Sequence, residues 1–260
     1  MSQYTHQQHQ FHFSTGRITW AAQRLILANV IIFALQLIWD PIQAAFLPGA
    51  PLNGMAPGGL LNTWLGFQPD LFLYGYLWKP FSYQFLHGGL MHLFMNMLWL
   101  FFFGPDVERT LGTRQFFRFY IACGALGVLC TIPAYVIFGD TVSVTGASGA
   151  VMGIMVAFAI IDPERQFFLF PLPVPITARA LVLIIVVMNL VVGISGGSPV
   201  SVATHFGGMG AGYLLMKSLP KYHAWKRQRQ TAPKPDKESD LDRIGEAVDN
   251  IFKFKDRKRH

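Results

Sequence analysis

The sequence predicts an all-α membrane protein with six transmembrane helices and both termini on the cytoplasmic side. The chain of 260 residues is 52% hydrophobic and only 13% charged, whereas a soluble domain usually carries about 25% charged residues. Its apolar residues form six segments separated by polar or Pro/Gly-rich stretches. Its basic residues are concentrated in the segments that this topology places on one side of the membrane.

The predicted spans cover residues 20–39, 85–103, 116–138, 148–161, 176–192 and 202–216. Asp40–Pro41 is expected to end the first span, and Pro133 is expected to kink the third. Residues 20–216 therefore form the predicted membrane domain. The polar residues 1–19 are predicted to be a disordered arm. The polar composition of this arm also favours a retained first span over a cleaved signal peptide.

The distribution of basic residues predicts the orientation and argues against a nucleic-acid partner. Thirteen of the 21 lysines and arginines follow Met216, although the net charge of the whole chain is +7. Lys79 is the single basic residue on the predicted outer side. The positive-inside rule then places both termini in the cytoplasm, and we expect the protein in the cytoplasmic membrane. Residues 217–260 form a charged tail whose apolar residues at 241–252 recur at the spacing of a short amphipathic helix.

Residues 40–84 are predicted to lie partly in one leaflet, because this long connection is rich in aromatic side chains. Tryptophan and tyrosine favour the membrane–water interface, and a fully solvated loop has no need of them.

Span four is shorter than the others, with 14 residues from Ser148 to Ile161. It is about 21 Å long, against a hydrocarbon core of about 30 Å. Ser148 is therefore predicted to begin a helix below the membrane surface.

Polar residues converge at one depth in the predicted bundle. Spans two, four and six enter from the outer side. Near that end, span two carries His92 and Asn96, span four carries Ser148, and span six carries His205. Polar side chains are costly inside a membrane and mark functional sites by default. Each alone is also typical of helix packing or structural hydrogen bonding, so the hypothesis depends on their joint occurrence.

The residue types predict a serine hydrolase. Ser148 needs a base to take its proton, and the imidazole of His205 suits that task. The spans hold no Asp or Glu, so we predict a Ser–His dyad without an acidic third member. His92 and Asn96 share a helix face and are predicted to stabilise an oxyanion together with the Ser148 N–H group. The glycine pairs 149/153 and 208/212 predict close contact between spans four and six.

Three motifs resemble those of the rhomboid family of intramembrane serine proteases. They are HLFMN at residues 92–96, GASG at 146–149 and HFGGMGAG at 205–212. Glu108 with Gly112 resembles the family's turn after span two, and Trp78–Lys79 resembles its Trp–Arg pair with lysine in place of arginine. Met152 stands where bacterial relatives often have an aromatic residue against the catalytic imidazole. The resemblance covers residues 76–216 well.

The resemblance implies a six-span bundle with both termini in the cytoplasm, acting without a metal or cofactor. Its implied partners are the lipid bilayer and membrane-protein substrates, which are cut in or near their transmembrane segments. It also implies that span five and the loop Gly193–Ser201 gate the site. Ser148 and His205 are the implied catalytic residues. The implied oxyanion and substrate-binding residues are His92, Asn96, Gly146 and Ala147.

Two other functions remain open at this point. The first is a catalytically inactive relative that binds and escorts membrane proteins, although such proteins typically lack the serine or the histidine. The second is a channel or transporter, for which polar residues are expected through the full membrane depth rather than on one side. The two cysteines, Cys123 and Cys130, lie seven residues apart in one apolar segment and suggest neither a disulfide framework nor a metal site.

Overall fold

The computed structural model describes residues 18–46, 59–139, 143–168, 175–195 and 198–231, most of them helical. Within these ranges the α-helices are α1 Trp20–Phe46, α2 Gly59–Leu65, α3 Pro69–Leu73, α4 Lys79–Ser82, α5 Leu90–Leu111, α6 Thr113–Leu129, α7 Thr131–Phe138, α8 Ser148–Ile161, α9 Ala178–Ile194 and α10 Pro199–Thr231. A 3₁₀ helix covers Tyr83–Phe85. Strand β1 (Gln166–Phe168) pairs antiparallel with β2 (Pro175–Thr177), with Phe167 opposite Ile176.

Among the described residues, three helical stretches are long and apolar enough to cross a membrane. They are Trp20–Trp39, Leu90–Leu111 and Thr113–Ile137. Helices α8 and α9 are apolar but shorter, with 14 and 17 residues. The bounds of α8 coincide with those of predicted span four, and Asp162 follows it as the C-cap.

Two helices have ends that differ from those of the predicted spans, although the apolar stretch Trp20–Trp39 has the bounds predicted for span one. Helix α1 continues through Asp40–Pro41 to Phe46, because a proline removes one N–H group and bends a helix without always ending it. Helix α5 starts at Leu90, not residue 85, and continues to Leu111 with Pro105 inside it. Between α5 and α6 stands only Gly112, whose φ of +78° is a conformation that side chains with a Cβ atom rarely adopt.

Two further boundaries differ from the prediction. The third span breaks at Cys130, three residues before the predicted kink at Pro133, and continues as α7. Pro133 lies in the first turn of α7, where backbone N–H groups have no intrahelical acceptor, so its missing N–H group removes no hydrogen bond. The break therefore lies before Pro133 and not at it. Helix α10 runs past residue 216 to Thr231. Residues 1–17 of the predicted arm at 1–19, and the predicted tail helix at 241–252, lie outside the described residues.

Helix α8 forms the centre of the hydrophobic core. It packs against α5, α6 and α9, and α1 packs against the outer side of this group through α5. Ala150, Val151, Ile154 and Phe158 of α8 are buried. Burial of most of a helix surface requires contact on several sides, which explains why α8 is apolar around its whole circumference.

Glycines let the backbones of α8 and α10 touch, as the two glycine pairs predict. A Cβ atom at Gly208 would collide with the carbonyl group of Gly149, and one at Gly212 would lie 2.6 Å from the Gly153 oxygen. On the adjoining side, a Cβ at Gly127 of α6 would lie 3.0 Å from the Gly208 nitrogen. At Gly208, α10 therefore meets both α8 and α6 without an intervening side chain, which is the geometry that small residues permit.

A carboxylate at the end of α5 holds the start of α1. The buried Glu108 accepts hydrogen bonds from the backbone N–H groups of Ala21 at 3.0 Å and Ala22 at 2.9 Å. The Thr113 hydroxyl donates to the same carboxylate at 2.8 Å. The first N–H groups of a helix lack intrahelical acceptors and carry partial positive charge, so an anion at this end stabilises α1.

Lys79 anchors the aromatic-rich segment between α1 and α5. Its side chain is fully buried, and its ammonium group donates to the carbonyl oxygens of Thr63 at 2.6 Å and Gly66 at 2.9 Å and to Gln68 Oε1 at 2.6 Å. Burial lowers the pKa of Lys79 to about 8, against the opposing effect of the Asp70 charge. The amine therefore keeps three protons at neutral pH, one for each acceptor. A lysine thus ties this segment together where the resemblance leads one to expect arginine.

Replacing Gly208 with alanine tests the close contact between α8 and α10. We expect Gly208→Ala to lower the free energy of unfolding by about 1–3 kcal/mol, because the added methyl group meets backbone atoms that cannot move independently. Denaturant unfolding of the purified protein in detergent micelles measures this change.

Gly210→Ala is the matched control on the same helix, because a Cβ atom there meets nothing within 4 Å. Alanine has the higher helix propensity, so this variant should be unchanged or more stable by up to about 1 kcal/mol. Equal effects of the two substitutions would contradict the assigned contact.

Candidate active site

The loop that precedes α8 is held by backbone hydrogen bonds from the segment that Lys79 anchors. Phe67 and Val144 exchange both of their N–H···O bonds, at 3.0 and 2.8 Å. The Gly146 N–H group donates to the Tyr83 carbonyl at 3.1 Å, and the Tyr83 hydroxyl donates to the Gly124 carbonyl of α6 at 2.7 Å. The position of Ser148 is thus fixed from both the preceding loop and the neighbouring helix.

Gly146 brings the loop against the ring of His92. Its φ is +121°, and a Cβ atom on it would lie 2.7 Å from His92 Nε2. Both the backbone conformation and the available space therefore require glycine. The structure thus places the His92 imidazole directly beside the loop two residues before Ser148.

Ser148 and His205 are in hydrogen-bond contact. Ser148 is the first residue of α8, after Ala147 as the N-cap, and its Oγ lies 2.8 Å from His205 Nε2. His205 precedes Gly208 and Gly212 by three and seven residues, which places it on the face of α10 that contacts α8. The glycine contacts therefore bring the hydroxyl and the imidazole together. A serine paired in this way can lose its proton to the ring as it attacks an electrophile.

The other nitrogen of the imidazole contacts a residue that the sequence analysis missed. Asn189 Oδ1 lies 2.6 Å from His205 Nδ1. The described spans have no Asp or Glu at this position, so the partner of Nδ1 is a neutral amide. The sequence does indicate a function for Asn189, because a polar amide inside the apolar helix α9 is costly in a membrane.

Asn96 lies one turn beyond His92 and is buried. Its Nδ2 donates one hydrogen bond to the His92 carbonyl at 2.9 Å, which leaves the second hydrogen of the amide for another acceptor.

The start of α5 is held by α1. The Gln36 side-chain amide accepts a hydrogen bond from the His87 N–H group at 3.0 Å and donates one to the His87 carbonyl at 3.3 Å.

The site residues predicted from the sequence thus lie in one region, where each makes a different contact. Ser148 and His205 are bonded, His92 contacts Gly146, Ala147 is the buried N-cap of α8, and Asn96 stands behind His92. Met152 lies among Val182, Ile185 and Met209 between α8, α9 and α10. Within the described part of the chain, no group of three or more His, Cys, Asp or Glu residues is arranged to hold a metal ion.

Comparison with known proteins identifies one matching family. Residues 74–221 match the Rhomboid domain. The chain is 34% identical to RHOMBOID-like protein 4 of Arabidopsis thaliana over 155 residues, which are 58% of this chain and 37% of that protein. It is 29% identical to Rhomboid protease GlpG of Klebsiella pneumoniae over 102 residues, 39% of this chain and 30% of the relative. These alignments span only about a third of the length of the curated relatives.

Proposed function

This chain belongs to the rhomboid family and is a multi-pass membrane protein, and from that premise we propose that it is an intramembrane serine protease. The observation that carries the proposal is the 2.8 Å contact between Ser148 Oγ and His205 Nε2, made between two helices of the membrane domain. A hydroxyl and an imidazole at this distance form the nucleophile–base pair of acyl transfer.

In the first half of the proposed reaction, Ser148 Oγ attacks the carbonyl carbon of the scissile peptide bond. His205 Nε2 takes the hydroxyl proton as the new C–O bond forms. When the tetrahedral intermediate collapses, the C–N bond breaks and the imidazolium returns this proton to the leaving amine. The products of this half are an acyl-enzyme at Ser148 and a new N-terminus on the released fragment.

The tetrahedral intermediate carries a negative oxygen that needs hydrogen-bond donors. We assign this role to the Ser148 N–H group, the free amide hydrogen of Asn96 and the His92 ring. The N–H group of Ser148 lies in the first turn of α8, where helix N–H groups lack intrahelical acceptors and favour negative charge. Gly146 and Ala147 shape the adjoining wall, because Gly146 keeps the loop in contact with His92.

In the second half, water replaces the amine. His205 Nε2 accepts a proton from the water molecule as it attacks the acyl carbon, and the Ser148 Oγ–C bond breaks. The proton then returns to Ser148, and the second fragment leaves as a carboxylic acid that loses its remaining proton to water. Every proton thus moves between water, serine, imidazole and substrate.

The proposed substrates are other membrane proteins, cut in or near their transmembrane segments, with the bilayer as the solvent for both partners. We place the enzyme in the cytoplasmic membrane as a six-span domain at residues 20–216, with both termini and the tail at 217–260 in the cytoplasm. The distribution of basic residues supports this orientation.

Cysteine accessibility tests the orientation. In a Cys123→Ala, Cys130→Ala background, we expect Tyr74→Cys to react with a membrane-impermeant maleimide in intact cells. Glu164→Cys should react only after permeabilisation, because it lies on the predicted cytoplasmic side. Neither side chain is covered by other parts of the protein, so accessibility to the reagent reports the side of the membrane. Reaction of Glu164→Cys in intact cells would contradict the topology.

Ser148→Ala tests the nucleophile. We expect this variant, reconstituted in liposomes with a single-span model substrate, to lose cleavage completely, since no other hydroxyl replaces Oγ. His205→Ala should lose at least about a hundredfold in kcat, the usual contribution of a general base. Electrophoresis of the substrate fragments measures both effects.

Ser201→Ala is the matched control, because Ser201 is an exposed serine four residues before His205, and it should cleave like the wild type. Retained cleavage by folded Ser148→Ala would overturn the assignment. Absence of cleavage by the wild type toward a panel of substrates, with stable substrate binding, would instead favour an inactive escort protein.

Asn96→Ala tests the oxyanion donors. We expect kcat to fall by roughly 10²- to 10³-fold with a small change in KM, because the removed hydrogen bond strengthens as the oxyanion forms. Met95→Ala, at the exposed neighbouring position, serves as the control and should retain wild-type kcat. A loss in Asn96→Ala that appears only in KM would contradict an oxyanion role.

A further inference from the structure

We infer that Asn189 is a positioning residue for His205, because it fixes the tautomer of the imidazole that faces Ser148. This inference rests on the proposed function, because it assigns the third member of the same hydrogen-bonded chain. The chain runs from Asn189 Oδ1 to His205 Nδ1 at 2.6 Å and from His205 Nε2 to Ser148 Oγ at 2.8 Å.

The orientation of the Asn189 amide follows from its second hydrogen bond. Its Nδ2 lies 2.9 Å from the carbonyl oxygen of Ile185, one turn earlier in α9. A carbonyl oxygen only accepts, so the amide nitrogen must be the atom on this side. The reversed amide would set two acceptors against each other. The oxygen Oδ1 is therefore the atom that faces His205.

This orientation determines which imidazole nitrogen carries the proton. Because Oδ1 only accepts, Nδ1 must be the protonated nitrogen of the neutral ring. Nε2 then has a free lone pair and faces the Ser148 hydroxyl, which donates to it. This is the tautomer that a general base requires. The opposite tautomer would place an N–H group against the serine and leave it without a proton acceptor.

Asn189 also stands alone on its stretch of α9. It is the one residue from Val187 to Ser195 whose side chain is not exposed, and this range is described without a gap. The buried side chains of α9, Ala178 and Leu181, lie at the other end of the helix. The Asn189–His205 hydrogen bond is therefore the contact that joins this half of α9 to the site.

Without the Asn189 acceptor, Nδ1 of His205 loses its partner. The imidazole is then free to exchange tautomers or rotate, and the fraction of molecules with a competent base decreases.

The kinetic test uses Asn189→Leu, which keeps the approximate volume but removes the acceptor. We expect kcat for the model substrate in liposomes to fall by roughly 10- to 100-fold with KM nearly unchanged, as when a metal-binding histidine loses the hydrogen-bond partner that orients its ring. Met188→Leu, at an exposed position next to it, should retain wild-type kcat.

The spectroscopic test does not need activity. In ¹⁵N-histidine-labelled protein at a pH where the ring is neutral, we expect His205 Nδ1 to be protonated and Nε2 unprotonated. The signals are assigned by their loss in His205→Gln. The same tautomer should persist in Ser148→Ala, and Asn189→Leu should show exchange between tautomers.

The two measurements separate this inference from the proposed function. If Ser148→Ala still cleaves, the proposed function fails while the tautomer result stands by itself. A protonated Nε2 in the wild type overturns the role of Asn189, and so does wild-type kcat in folded Asn189→Leu. A loss of kcat without a tautomer change overturns it as well, because the amide would then act only as a link between helices. If Asn189→Leu does not fold, the wild-type spectrum alone decides.

Discussion

The direct contact between the backbones of α8 and α10 is the constraint on which the rest of this structure depends. Gly208 fits against the Gly149 carbonyl and Gly212 against that of Gly153, so no side chain separates the two helices at this level. His205 lies on the same face of α10, and Ser148 precedes Gly149 directly. A distance of 2.8 Å between their side chains is a consequence of this helix packing, because neither residue has a side chain long enough to bridge two helices held further apart.

The remaining polar contacts hold the loop and helix ends that surround this contact. Lys79 closes the segment before α5 with three hydrogen bonds, and that segment in turn holds Val144 and Gly146. Glu108 fixes the start of α1, and α1 fixes the backbone at His87 through Gln36. Each of these side chains satisfies backbone groups that have no partner within a helix or sheet, which matters most where water is scarce. These contacts fix the backbone around the site, and the Asn189 amide adds a polar contact from α9 to His205.

The sequence was sufficient for features governed by local chemistry and insufficient for those set by tertiary packing. The bounds of α8 follow from an apolar run that Asp162–Pro163 ends, and the glycine spacing predicts the partner of α8. The extent of α1 past Pro41 and of α10 past Met216 was missed, because hydropathy marks where a helix leaves the apolar phase rather than where its hydrogen bonds stop. Asn189 was missed because a neutral amide was not considered as a partner for the imidazole, although its cost inside an apolar helix was visible.

The most direct test of the account is covalent labelling of Ser148 by a fluorophosphonate in a lipid bilayer, with the modified residue mapped by mass spectrometry. Such a reagent reacts with a serine whose proton is removed by a neighbouring base, and it needs no knowledge of the natural substrate. We expect a single adduct on Ser148 whose rate of formation falls at least about a hundredfold in His205→Ala. An absence of adduct in folded wild-type protein, or equal labelling of Ser148 in both proteins, would contradict activation of the serine by the histidine across the α8–α10 contact.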